Sequence, residues 1–288
     1  MSWLNRLYLK LLLFLSLVMP AHARISISIE QDIYEYAKEI LADQPIAEFS
    51  AEIFNHPKCQ RDVVEFLIAQ RALLEGGFAH PFHFTLGNYD ARNLKLLESG
   101  LLLMSFDTIW LSQAHTIKED VYISEPIIEK GAYFAGIYTA RTNRASLRNK
   151  ISTDLSQVSI VSSQAWLVDW VTLKALNPKQ LHHEDDWITM AKLVSNGWVD
   201  AMLVSFNNTR PFFYEGPGYR IEAVEGIKVA LQDSRHFVVS RHHPYAKEAR
   251  AALQLGLAKL KAQKFIYQAY RQCGFITPLV DDWHILQP

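Results

Sequence analysis

Cysteine is nearly absent from this chain: two occur in 288 residues, Cys59 and Cys273. That leaves room for one disulfide at most. In an oxidising compartment an even pair invites a bridge; two buried free thiols are the other reading, since sequence does not give their distance. Excess charge is absent too. Lysine plus arginine and aspartate plus glutamate nearly cancel, to a formal −1, which argues against a nucleic-acid binder and its basic face. No segment is low in complexity and no internal repeat is found. No apolar run is long enough to cross a bilayer, which takes about 20 residues. Nor is there a Gly-x-Ser-x-Gly elbow, a His-Glu-x-x-His pair or a phosphate-cradling glycine loop.

What is present begins with an export-type leader. Arg6 and Lys10 precede the apolar stretch Leu11–Met19, and Pro20 breaks it ahead of Ala21-His22-Ala23, the small-x-small pattern of a cleavage site. A signal peptide over 1–23 is therefore expected, with a retained anchor as the alternative. No cysteine follows the apolar stretch, which argues against a lipid anchor. The mature protein would begin near Arg24 in the periplasm. At 49% hydrophobic residues it can bury a sizeable core.

Beyond the leader, strand-like and helix-like stretches alternate. Ile25–Glu30 alternates with period two, and Gln31–Asp43 has helical spacing. Cys59–Leu74 reads as a helix stopped at Gly76-Gly77, and Phe82–Leu86 as a strand. A helix from about Ala91 ends at Gly100. Leu101–Phe106 is short and continuously apolar, which suits a strand buried on both faces. Phe134–Tyr138, Val158–Val161, Val199–Val204, one or two runs within Tyr219–Ala230, and His236–Ser240 are further strands. Helices are expected over Ala165–Leu176, capped from Ser162-Ser163-Gln164, over Trp187–Ser195, capped by Asp185 or Asp186, and from Pro244 onward with a break near Lys261–Lys264. Asn143–Asp154 and Asn208–Gly218 read as connections. This alternation gives an α/β architecture with mainly parallel sheets.

Three places, in order, resemble bacterial periplasmic solute-binding proteins of the family-3 type, which serve polar amino-acid importers. Ser99-Gly100, a buried run and Ile123-Ser-Glu-Pro126 are similar to that family's segment before its first hinge strand. Gly197-Trp-Val-Asp-Ala-Met-Leu-Val204 is similar to its Gly-x-x-Asp-Ala strand. His236-Phe-Val-Val-Ser-Arg241, with the helices near Leu253 and Ile266, resembles the return hinge and terminal helices. The resemblance implies a type II, two-lobed fold with two sheets joined by two crossing hinge strands. Lobe 1 would hold 24–134 plus 239–288, and lobe 2 would hold 135–238. It makes a Cys59–Cys273 bridge more plausible, because the terminal helices would pack on lobe 1.

The resemblance also implies a function: closing on a small polar solute for an ABC importer or a membrane sensor, as a monomer, with no cofactor or metal. Two family features are missing. Ile117 and Lys118 stand where the arginine that grips an amino-acid carboxylate belongs. Ser205 stands where an aspartate for the ligand ammonium belongs. An ordinary α-amino acid is therefore not the expected ligand. Strand ends place Asn88, Asp107, Trp110, Thr139, Arg141, Ser163, Gln164, Trp166, Ser205, Asn207 and Arg210 at the expected cleft, with Tyr89 and Ser105 beside them. Each has a plainer role open to it: turn former, N-cap, core aromatic or solvated loop charge. The alternative function is a periplasmic dehydratase or lyase on the same scaffold, with Asp107 as its main candidate. His182-His183-Glu184-Asp185-Asp186 and His242-His243 read as solvated segments, since adjacent residues point apart.

Overall fold

The structure is a computed structural model that describes residues 25–87, 90–151 and 154–286. The leader and Asn88-Tyr89 lie outside the described residues. The first strand, β1 (Ile25–Ile29), pairs in parallel with β2 (Phe82–Leu86), and its three isoleucines point into the core. Helix α1 (Gln31–Leu41) follows at once. Helix α2 (Arg61–Glu75) is the buried axis of this half, covered over most of its circumference. The long helix α8 (Ala246–Ala262) lies across it at two glycines. A Cβ built on Gly76 would collide with the Ala252 carbonyl, and one on Gly256 with the Ala72 carbonyl. Only glycine permits so close a crossing. Helix α9 (Phe265–Cys273) follows a break at Lys264, whose φ is 56°. Its last residue is disulfide-bonded to Cys59, with the Cα atoms 5.4 Å apart. The bond ties the segment before α2 to the end of the terminal helices.

The second sheet carries the other half. Along one side of it β8 (Ala201–Ser205) and the edge strand β7 (Gln180–His183) flank β6 (Ser159–Ser162) in parallel. The crossing strand β5 (Tyr133–Ala140) joins β8 antiparallel, and the 13-residue β10 (Tyr219–Leu231) joins β5 in the same sense, with an irregularity between Ala223 and Lys228. β9 (Phe213–Gly216) hairpins onto β10. Helices α5 (Arg144–Lys150), α6 (Leu167–Ala175) and α7 (Trp187–Ser195) complete this half. The final strand, β13 (His284–Leu286), also pairs with β10. Buried Lys228 holds this tail, with Nζ donating to the carbonyls of Val280 (2.5 Å) and Asp281 (3.2 Å). Unpaired, that ammonium would be costly to bury.

Between the halves run β5 and the return segment β11 (Arg235–His236) and β12 (Val238–Ser240). The latter pair with β3 (Ile109–Trp110) and β4 (Val121–Ile123). This is the expected two-lobed α/β fold, with antiparallel crossing strands added beside the parallel strands β8, β6 and β7. Several local readings change. Leu102–Phe106 is buried and Leu101 is exposed, and within the stretch only Met104 forms a bridge, to Val239. Burial and apolar continuity are shared by strands and by packed irregular backbone, so the pattern alone misleads here. Asn143–Asp154 contains helix α5, and Asn208–Gly218 contains β9. Helix α6 starts at Leu167 rather than Ala165, because Ser163 Oγ accepts from the Ala165 amide in a turn before it. Asp186 caps α7, accepting from the Thr189 amide at 2.7 Å.

Candidate functional site

A cleft of about 570 Å³ lies between the two halves, and both contribute to its walls. Its floor is a buried polar network. Glu65, fully inaccessible on α2, accepts from the Thr108 amide and hydroxyl (both 2.8 Å), from the Tyr270 hydroxyl (3.0 Å) and from Arg61 (2.5 Å). Burial pushes its carboxyl up, but Arg61, Arg235 and the Thr108 N–H outweigh that and leave it below the ordinary range. Arg61 also pairs with Asp62. Arg235 donates from Nε to Thr108 Oγ1 at 2.8 Å and from Nη2 to the Thr108 carbonyl, and it stacks 4.6 Å from the Trp110 ring centre. Both cleft guanidiniums are therefore held by the protein.

The carboxylates around them behave differently. Asp169, on α6, is pushed up to about 6 by burial, which outweighs Arg235, Arg61 and the Trp110 indole N–H that bonds it. Asp62 is raised to about 6 for the same first reason, with Glu65 and Asp107 adding repulsion. At the rim Asp32, near the start of α1, is raised by burial first and also by Asp186 from the opposite half. Asp107 accepts from Ser105 Oγ, and Asp185 from Ser163 Oγ at 2.6 Å. Aromatic rings form much of the remaining wall. Trp110 packs against Tyr133 with centroids 5.1 Å apart, and Trp187 against Tyr214 at 5.6 Å. Among the described residues no lysine or histidine lines this cleft.

Of the residues expected at the site, Asp107, Trp110, Trp166 and Ser205 line the cleft, with Ser105 beside them. The others are elsewhere, apart from Asn88, which is outside the described residues. Thr139 is buried and donates from Oγ1 to the Asp200 carbonyl at 2.6 Å. Arg141 is exposed outside the lining, 3.8 Å from Glu222. Ser163 supports Asp185 from beneath, and Gln164 is exposed outside the lining. Asn207 braces its own loop, donating to the Phe213 carbonyl at 2.7 Å. Arg210 donates to the Asn207 carbonyl at 3.2 Å and covers the Phe212 ring. Ile117 is buried and Lys118 exposed beside Glu119, both off the cleft. Sequence reasoning missed Asp62, Asp169, Asp185, Asp186, Trp187 and Arg235. The first two sit in helices read only for their apolar spacing. Asp185 and Asp186 belong to the segment read as solvated, and Trp187 opens a helix read for its cap and apolar spacing.

No family model and no curated protein matches the sequence. Solved structures do resemble it in fold. An amino acid ABC transporter substrate-binding protein from Streptococcus pneumoniae, bound to L-arginine, aligns over 72% of this chain and 82% of its own at 14% identity and a TM-score of 0.52. The periplasmic VFT2 domain of BvgS from Bordetella pertussis aligns over 88% and 95% at 11% identity and 0.51. The ancestral amino acid-binding protein AncCDT-1, a precursor of cyclohexadienyl dehydratase, aligns over 87% and 95% at 15% identity and 0.50. At such identities the likeness is one of fold, and the cleft's chemistry must be argued from its own residues.

Proposed function

We propose that this chain is a solute-binding protein that closes its two lobes on a small polar solute other than an ordinary α-amino acid. The observation that carries the reading is a cleft whose walls come from both sides of two crossing strands, with polar groups converging from each. A ligand touching both walls favours the closed arrangement by its extra contacts there, which is how hinge closure is driven. The doubt about amino acids rests on Ile117 and Lys118 lying off the cleft and on both cleft arginines being engaged. The reading includes cleavage of the leader near Ala23, a periplasmic location, and delivery of the solute to an ABC permease or a sensor. It keeps the lobes at 24–134 plus 239–288 and at 135–238. Among the described residues no helix is long and apolar enough to cross a membrane.

A second reading, a dehydratase or lyase, is favoured by one observation. Asp62 and Asp169 are both raised to about 6 within the cleft, and such shifts mark acid–base groups. The test is native mass spectrometry of protein from its own periplasm, with thermal shift across a broad solute panel. A retained or stabilising small solute that is recovered unchanged supports binding, since a ligand of the native state raises its stability. A solute recovered chemically altered supports the enzyme. A protein that carries nothing and shifts with nothing overturns both.

A further inference from the structure

The cleft is rich in carboxylates, and both of its arginines are already engaged. Carboxylates face it from both sides: Asp62 and Asp107 from one half, Asp169 and Asp185 from the other. The two guanidiniums that could balance them are committed to Glu65, Asp62 and Thr108. One acceptor atom in this lining, Asn93 Oδ1, is shut off from water and accepts no hydrogen bond, while Asp62 Oδ1 is met by Arg61. An orphaned buried acceptor costs free energy until a donor reaches it. Trp166 and Trp187 are the partly exposed aromatics of the wall, and a cation gains from lying over such a ring. At the rim Asp32 and Asp186 approach from opposite halves with like charge. Closing the empty cleft therefore works against repulsion, and a positive charge placed between the walls removes it.

We infer that the solute is a small organic cation, an amine or guanidine without a carboxylate, held by N–H donors to these acceptors and by the aromatic wall. This rests on the solute-binding reading and narrows it. A zwitterionic amino acid would bring a carboxylate into a cleft that has no uncommitted cation among the described residues to receive it, and an anion fares worse. A bare amine satisfies the same acceptors without that cost.

The test compares pairs that differ only by the α-carboxylate: agmatine with arginine, putrescine with ornithine, cadaverine with lysine. Each is titrated calorimetrically into the full mature chain at pH 8. In at least one pair the decarboxylated member should bind roughly tenfold tighter or more, about the effect of one lost charge-assisted contact. Asp169→Asn should weaken that binding by a similar factor while still melting cooperatively. If the amino acid binds as well or better, or if all six compounds fail while another solute shifts the melting temperature, the cation assignment falls and solute binding stands. If no solute of any class binds, both fall.

Discussion

Replacing Asp169 by asparagine should make the ligand-free protein more stable at pH 8 and much less so at pH 4. Burial raises this carboxyl from its ordinary 3.8 to about 6. A group whose folded value lies above its unfolded one favours the fold when protonated. That contribution is full below 3.8 and is lost as pH rises through 6, so at pH 8 the folded protein bears the whole cost of the charge. At 1.36 kcal/mol per pH unit, a rise of roughly two units bounds that cost at about 3 kcal/mol. Asp169 is partly open to the cleft, so solvent screening lowers the figure to about 1–2 kcal/mol. Asparagine removes the charge and keeps an acceptor for the Trp110 indole. The assay is urea denaturation of wild type and variant at pH 4, 6 and 8. A gain near 1–2 kcal/mol at pH 8 that shrinks towards pH 4 agrees with this account. A variant no more stable than wild type at pH 8, or a gain independent of pH, would refute the idea that the cleft holds a desolvated carboxylate at a cost.

Two other predictions concern the scaffold. Gly256→Ala should destabilise the protein by about 2 kcal/mol or more, because its methyl group meets the Ala72 backbone and the α2–α8 crossing must open; a thermal melt unchanged within error would contradict that packing. Reducing the Cys59–Cys273 bond, which spans 214 residues, should lower the urea midpoint by an amount worth up to about 5 kcal/mol in the chain-entropy model. Parallel titrations with and without reductant measure it, and coincident curves would show that the bond adds nothing to stability.

The elements that were legible in the sequence are those whose pattern is set locally. Ile25–Ile29, Phe82–Leu86 and Trp187–Ser195 stand where alternation, apolar runs and the Asp186 cap put them. Leu101–Phe106 was not, because burial by packing and burial in a sheet leave the same apolar signature. Gln180–His183 was missed for the converse reason. It is an outer strand of the second sheet, paired only to β6 and carrying polar side chains, so no apolar run marks it. Among the candidate site residues, Asp107 and Trp110 could be placed at the cleft because both follow the end of a buried run. Thr139 and Asn207 also sit near strand ends, yet their side chains turn to neighbouring carbonyls.

The sequence by itself determined the α/β class and the place of its locally patterned elements, since these depend on residue type and spacing along the chain. Which charges share the cleft was decided only by the tertiary structure. Asp62 and Asp169 are 107 positions apart in sequence, and nothing local to either marks it as a cleft residue. Their common property, a carboxyl that burial raises in spite of nearby arginines, arises from packing two lobes around one space. Desolvation and through-space charge depend on distance in three dimensions, and a linear pattern does not carry that information.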